Sequence, residues 1–521
     1  MPRLTHRQVL TVLTGLMLGM LVAALSQTVV ATALPTIVGE LGGQDQLAWV
    51  VSATLLSSTA STPIWGKLSD LYGRKLMYQS AIWIFIAGSF LAGFSQNMPM
   101  LIGSRLVQGL GIGGLMALGQ AIIGDIVSPR ERGRYQGYMG STFALATVLG
   151  PLIGGVIVEQ TSWRWTFFVG IPIGLAALVV TERVLQLPFP RRDHKVDWWG
   201  ATFIVGCVSS ILLVLSLGGD AFGWQSGWTV ALVASSLLFL GLAIWQERRA
   251  VEPIMPPHLF RNHTFAIAGA AGFAVGVAMF GAMIFLPQYL QIVRGESPMV
   301  SGFLTLPLMF AMIAAMTISG RVITRTGRYK LFPVLGMALL AVGLILMSRL
   351  HTDTSLVLAG AYMAVAGVGI GLSMQVLVLA TQNAVGRGDL GVATSGATFF
   401  RAMGGAVGVA MFGALLRYSN SITIPDRAAE FGVPPDQLNA GDFDIGTPAE
   451  VSALPTALHD TVVTGFADSM QTVFASAAPF AVVGFLVVVF LREHPLDTRE
   501  VDPSDVADSS LDMDKGAKAA L

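Results

Sequence analysis

Charge is scarce in this sequence, so the few places that hold it read as the places where something is done. The run Gly66-Lys67-Leu68-Ser69-Asp70-Leu71-Tyr72-Gly73-Arg74-Lys75 links two apolar stretches. Gly66 and Gly73 permit a tight turn and close helix approach. Asp70 is suited to accept bonds from a neighbouring helix N-terminus, and Arg74 to pair with a carboxylate such as Asp125. That is the chemistry of a gate, built from ion pairs that form and release without making covalent bonds. The plainer reading is a set of basic residues anchoring a loop at a membrane face.

Two arginines lie inside apolar runs, where a guanidinium costs about 2.5–3.5 kcal/mol on insertion scales. Arg401 is about nine residues into its run, roughly 13 Å deep at 1.5 Å per residue. No carboxylate is available at that depth, so Arg401 must face a cavity, carbonyls or a substrate. Arg105, with Gln108 one turn on, reads either as an anchor reaching for the interface or as a functional charge. Ser26, Gln27, Gln120, Gln288 and Gln375 add uncharged hydrogen-bonding capacity, as do Gln382 and Asn383. Phe143, Phe280, Met283, Phe285, Tyr289, Met374 and Phe400 could form an adaptable apolar lining or simply pack the bundle.

Those residues need a membrane around them. Of 521 residues 53% are apolar and only 12% charged, with mean hydropathy +0.67. So few charges cannot coat a soluble chain of this length, which argues against a soluble enzyme or a nucleic-acid binder. Basic and acidic residues balance at 31 each, and the single cysteine, Cys207, excludes an intrachain disulfide. The seven histidines fall in loops or at span ends without ligand spacing, so no metal, cofactor or membrane-embedded catalytic centre is expected. Neither an ATP-binding domain nor a soluble output domain of a sensor is expected from this sequence, so the expected energy source is an ion or substrate gradient.

Fourteen runs are long enough for helices of roughly 20 residues, the length that crosses a bilayer core. They span 9–34, 47–65, 77–95, 100–125, 137–158, 165–186, 197–217, 228–246, 264–289, 300–320, 331–349, 355–384, 393–416 and 469–491. A polar external segment, 417–465, separates the last two. The first run is too long for the apolar core of a signal peptide. Placing the N-terminus inside puts 24 of the 31 Lys/Arg in cytoplasmic segments. Five face outward (Arg164, Arg294, Arg349, Arg417 and Arg427), and the C-terminus is then cytoplasmic too.

Four patterns return in order at nearly one offset. Gly66 to Arg74 recurs as Gly320 to Arg328, 254 residues on. Gly109-Leu-Gly111-Ile-Gly113 recurs as Gly367-Val-Gly369-Ile-Gly371, 258 on; Arg132-Gly133 as Arg387-Gly388; and Gly150 with Gly154 as Gly404 with Gly408. The offset crosses eight spans, so both copies run in the same direction. A parallel repeat of this kind belongs to transporters that hold substrate between two halves. The expected fold is therefore all-α and polytopic, with 1–196 and 264–491 as two six-helix halves. Residues 197–263 form an inserted helix pair with its linker, and 492–521 a tail too poor in apolar residues to pack.

The loop motif resembles that of the major facilitator superfamily, Gly-x-Leu-x-Asp-x-x-Gly-Arg-Lys, at every fixed position from Gly66 to Lys75. Arg105 to Gly114 is similar to the superfamily's second motif. A dinucleotide fingerprint at Gly109, Gly111 and Gly114 is rejected because no strand precedes it. Gly150-Pro151-Leu-Ile-Gly154 resembles the antiporter motif, and Ser162-Trp163-Arg164-Trp165 to Gly174 a hallmark of fourteen-span drug:proton antiporters of the EmrB/QacA type. The resemblance implies a multidrug or amphiphile exporter working by alternating access and proton exchange. A lipid or self-made antibiotic exporter of the same fold is the alternative. It further implies a monomer in a bacterial cytoplasmic membrane, with a small amphiphile and protons as partners and no nucleic acid. Three positions depart from the family pattern. Ser26 stands where a buried Asp is usual, Thr54 where a Tyr is common, and Gly170 where an Asn is usual. With no carboxylate at the midplane, any titrating group must be peripheral, with Asp125 as the candidate.

Overall fold

The computed structural model describes residues 6–41, 47–185, 196–217, 226–434, 451–493 and 496. Among them every regular element is helical. The first half comprises α1 (His6–Leu41), α2 (Leu47–Tyr72), α3 (Arg74–Gly93), α4 (Met98–Ile126), α5 (Pro129–Gln160), short α6 (Trp165–Phe168) and α7 (Gly170–Val184). Then come α8 (Trp198–Leu217), α9 (Gly227–Glu247) and a short linker helix α10 (Pro257–Arg261). The rest is α11 (His263–Ile292), α12 (Pro298–Leu304), α13 (Leu306–Thr326), α14 (Leu331–Met347), α15 (Leu356–Asn383), α16 (Leu390–Phe431) and α17 (Thr456–Val489).

Each of the fourteen expected spans coincides with helix. Among the described residues twelve helical segments are long and apolar enough to cross a membrane by length and composition. The two outside that set have visible reasons. The α14 helix is 17 residues long. The α2 helix buries Thr54, Ser57, Ser58, Thr59, Ser61 and Thr62, polar residues that lower its hydropathy. The hydroxyls of Ser57, Ser58, Ser61 and Thr62 bond back to carbonyls in the preceding turn, as Ser57 Oγ does to Ala53 O at 2.9 Å. Thr54 Oγ1 donates instead to Arg105 O of α4 at 3.4 Å, and Thr59 Oγ1 is buried without a partner among the described residues.

One expectation is corrected. The polar segment 417–465 is helical at both ends, because α16 runs on to Phe431 and α17 begins at Thr456. Beyond the apolar spans the two helices keep bonding to one another. Thr423 Oγ1 donates to Gly465 O at 2.8 Å, and Arg427 pairs with Asp468 at 2.8 Å. Gly432, with φ +67°, ends α16 in the left-handed region that favours glycine. Residues 435–450 and the tail from 497 lie outside the described residues.

The sequence repeat is a repeat of contacts. A Cβ added to Gly111 of α4 would lie 2.5 Å from Phe85 N of α3, and one on Gly369 of α15 would lie 2.4 Å from Leu340 N of α14. Gly109 and Gly113 press on α2 at Thr54 O and Ser58 O, while Gly367 and Gly371 press on α13 at Leu308 O and Met312 O. In lipid, where burial of apolar surface gives helices little drive to associate, such backbone approach supplies the dispersion contacts that hold them together.

The inserted pair lies against the seam between the two repeats. Ala201, Ile204, Val208 and Leu212 of α8 share one apolar cluster with Ala60 of α2 and with Phe399 and Ala406 of α16. The linker after α9 touches both repeats. Glu252 pairs with Lys67, while His258 Nε2 meets Asp389 at 2.8 Å and Asn262 Nδ2 donates to Ala384 O at 2.7 Å. Glu247 holds the linker's shape by accepting the Ile254 and Met255 N–H groups at 3.2 and 3.0 Å.

Candidate functional site

The loop motif builds its site from four helix ends. Gly73, at φ +95°, takes a backbone conformation that a side chain would strain, and so turns α2 sharply into α3. This brings Arg74, 8% exposed, back over Asp70. Arg74 Nη2 lies 2.6 Å from Asp70 Oδ1, and Nε lies 2.6 Å from Asp125 Oδ2 at the end of α4. A third donor, Nη1, reaches Ser69 Oγ. Asp70 Oδ2 accepts the Val392 N–H at 3.0 Å. Val392 is in the first turn of α16, so a carboxylate of one repeat caps a helix N-terminus of the other, where the helix dipole favours negative charge. Lys75 turns away from this cluster to Glu182 at 3.0 Å.

Only small residues allow the repeats to meet this closely. A Cβ on Gly66 would lie 2.0 Å from Ser395 Oγ, and one on Gly320 2.2 Å from Gly133 O. Deeper in the same face, Gln136 Nε2 bonds Gln382 Oε1 at 3.2 Å, and Gln382 Nε2 bonds the Gln120 carbonyl at 3.2 Å. Gln120, Gln136, Gln375 and Gln382 are all buried here. Together these contacts seal the bundle at the end that carries the motif. Gly150 makes its close contact inside one repeat. Its Cβ would meet Thr28 of α1 within the same repeat at 2.0 Å from Oγ1, so the close approach between repeats falls earlier on α5, at Gly133, Gly137 and Gly140. Pro151 and Gly154 continue α5 without a break, and Gly154 is buried.

The two span arginines differ completely. Arg105 is 2% exposed and bonded, with Nε donating to Val50 O at 3.2 Å, Nη1 to Gln108 Oε1, and the guanidinium 5.9 Å from the Phe167 ring centroid. Gln108 Nε2 passes the chain on to Ser89 Oγ at 2.8 Å. Neither anchor nor cavity group, this pair ties α4 to α2 and α3. Arg401 borders a small cavity walled by Gly272, Val275, Met374, Val378 and Ala397. No hydrogen bond or ion pair among the described residues reaches its guanidinium.

The other expected lining residues mostly pack. Phe285 sits in the apolar core of the second repeat, and Phe143 joins Ala24, Leu25 and Val29 of α1. Phe400 stacks edge-on against Phe260, Phe265 and Phe399. Gln288 is exposed and Gln27 half-buried. Ser26 Oγ bonds Ala23 O at 3.0 Å, which satisfies it within α1. Sequence reasoning missed the Val392 amide, Gln136 and the Gly133–Gly320 contact. The last was open to inference, since Gly320 and Gly133 each belong to a repeated pattern.

At the opposite end, Trp163 Nε1 donates to Glu40 at 2.7 Å, Arg164 pairs with the same carboxylate, and Arg164 Nη2 reaches Ser95 O at 3.3 Å. Bonds from Arg164 and Trp163 hold the Glu40 carboxyl below its usual range. At the sealed end, burial pushes the Asp70 carboxyl up to about 6, with Arg74 opposing the rise and Asp125 adding to it. Its ordinary value of 3.8 returns when water reaches it, so the sealed state binds the proton more tightly than the open one. Sealing is therefore favoured as pH falls through 6, and that contribution is lost above it. The expected result is a distance between spin labels at exposed Tyr72 and Leu331 that shortens on acidification (in a Cys207→Ser background). Asp70→Asn should leave that distance short at every pH. A wild-type distance unchanged by acidification would show that Asp70 does not set the seal.

Such an assembly has repeated bundles, a seal between them and an intramembrane charge. Among the described residues no group of three or more His, Cys, Asp or Glu could hold a metal. These are the features of a multi-pass membrane transporter. The family model described as Major Facilitator Superfamily matches residues 16–409. An uncharacterized MFS-type transporter of Mycobacterium tuberculosis is 40% identical over 95% of this chain and 71% of its own length. Multidrug transporter protein MdtP of Bacillus subtilis is 36% identical over 97% of this chain and 96% of its own. Among solved structures, the human organic anion transporter MFSD10 (TETRAN) is similar with a TM-score of 0.64 at 14% identity, covering 92% of this chain and 99% of that one. The chain belongs to the Major Facilitator Superfamily.

Proposed function

We propose that this protein is a secondary-active exporter of amphiphilic compounds that works by alternating access and exchanges its substrate for protons. It acts as a monomer in a bacterial cytoplasmic membrane, with both termini and the Asp70–Arg74–Asp125 seal on the cytoplasmic side. The carrying observation is that seal. Asp70 and Arg74 of one repeat close on the α16 N-terminus of the other through bonds that can break and re-form. The likeness to MdtP, named as a multidrug transporter, supports the substrate class. Asp70 is a better proton carrier than Asp125, since its side chain is 10% exposed against 27%. Uptake into proteoliposomes with and without an imposed pH gradient tests the reading. Transport that ignores the gradient would remove proton exchange, and no transport of any amphiphile would remove the export function.

Charge selection follows from Ser26, which departs from the family pattern, and from the intramembrane Arg401. A dication needs a carboxylate to offset its desolvation, yet Ser26 is neutral and Arg401 is positive. Neutral, zwitterionic or anionic amphiphiles are the expected substrates. Cells expressing the protein should gain resistance to such compounds and little to dicationic dyes. Strong export of a dication by the unaltered protein would refute this selection.

A further inference from the structure

Arg401 lies about 16 Å along α16 from Leu390, within the apolar span of that helix. An unpaired guanidinium at such depth costs several kcal/mol unless something offsets it. Among the described residues no counter-charge reaches it. At the motif end, Asp70 and Asp125 are taken by Arg74, Glu252 by Lys67, and Asp389 faces His258. Arg105, the other arginine inside an expected span, is by contrast bonded, with a carbonyl, an amide oxygen and an aromatic ring around it. Arg401 has none of these.

What it has is the cavity beside it, with room for about one water-sized body (about 10 Å³) and otherwise apolar walls. Arg401, whose guanidinium carries five N–H donors, is the one polar side chain among the described residues that line it. A dianion would need a second cation, and a bulky anion would not fit. We infer that Arg401 and this cavity form a site for one small monovalent anion, chloride-sized, which the carboxylate of an anionic substrate displaces. Met374, long and unbranched, can shift to admit an ion slightly larger than water. The displacement step rests on the charge selection proposed above; the ion site does not.

The test uses the full chain in nanodiscs, with intrinsic Trp fluorescence reporting Tm. At equal ionic strength, sodium chloride, bromide and formate should raise Tm saturably over sodium gluconate. Arg401→Gln should abolish the difference, and Arg401→Lys should keep it at higher anion concentrations. Because Arg401→Gln itself changes stability, bromide density beside Arg401 in a structure of the unaltered protein gives an independent readout. Equal Tm in all four salts, or a halide effect that survives Arg401→Gln, would overturn the site. Competition is read separately. Chloride should weaken transport of an anionic dye and leave a neutral one unaffected. A halide effect on Tm without any effect on the dye would end the displacement step while leaving the ion site standing.

Discussion

Arg74→Gln is expected to lower transport by about tenfold or more while the protein still reaches the membrane. Arg74 is the only cation bonded to both Asp70 and Asp125 among the described contacts. Without it two carboxylates face one another at the seal, and removing one partner of a buried ion pair costs roughly 3–5 kcal/mol. The side chain of Asp125 is 27% exposed, so solvent will soften part of that. Even about 1.4 kcal/mol shifts the balance between sealed and open states tenfold. The Tyr72–Leu331 label distance should lengthen in this variant. Adding Asp70→Asn removes the repulsion and should restore part of the sealing. Normal transport by Arg74→Gln at equal expression would show that the cluster only anchors a loop.

Gly320→Leu should be as damaging, through shape instead of charge. Its Cβ would lie 2.2 Å from Gly133 O and 2.7 Å from Gly133 C, both backbone atoms. Backbone cannot turn aside as a side chain can, so relief comes only by separating α13 from α5. The seal would then stay open, transport would fall by more than an order of magnitude, and the label distance would lengthen even at low pH. Gly302, earlier in the same expected span, has nothing within 4 Å of an added Cβ. Gly302→Leu is thus the matched control and should transport normally. A closed distance in Gly320→Leu would show that the repeats meet differently from the contact described.

Much of the fold was legible because lipid imposes it: spans follow from apolar length, and the glycine spacings of α4 and α15 mark where helices touch. Residue types also located the charge cluster at the motif end. Asp70, Arg74 and Asp125 could be paired by chemistry alone, since few other charges were available. What stayed hidden depends on direction. A helical Phe of apolar sequence faces lipid, core or cavity with equal ease, and Phe143, Phe285 and Phe400 all turned into packing. The Val392 partner was a backbone N–H, which no side-chain pattern encodes. Helix past the apolar span, at 417–431, was missed because hydropathy measures the membrane and not the helix. The pairing of Arg427 with Asp468 carries α16 and α17 on together.

The linker between α9 and α11 has a mechanical meaning. It is fastened to one repeat at Glu252 and to the other at His258, six residues apart. Six residues reach at most about 20–22 Å when fully stretched. At that corner the strand is a drawbridge chain, setting how far the two sides travel before Lys67 must let go of Glu252. Lengthening it would widen the swing, and shortening it would hold the passage ajar or shut by arithmetic alone.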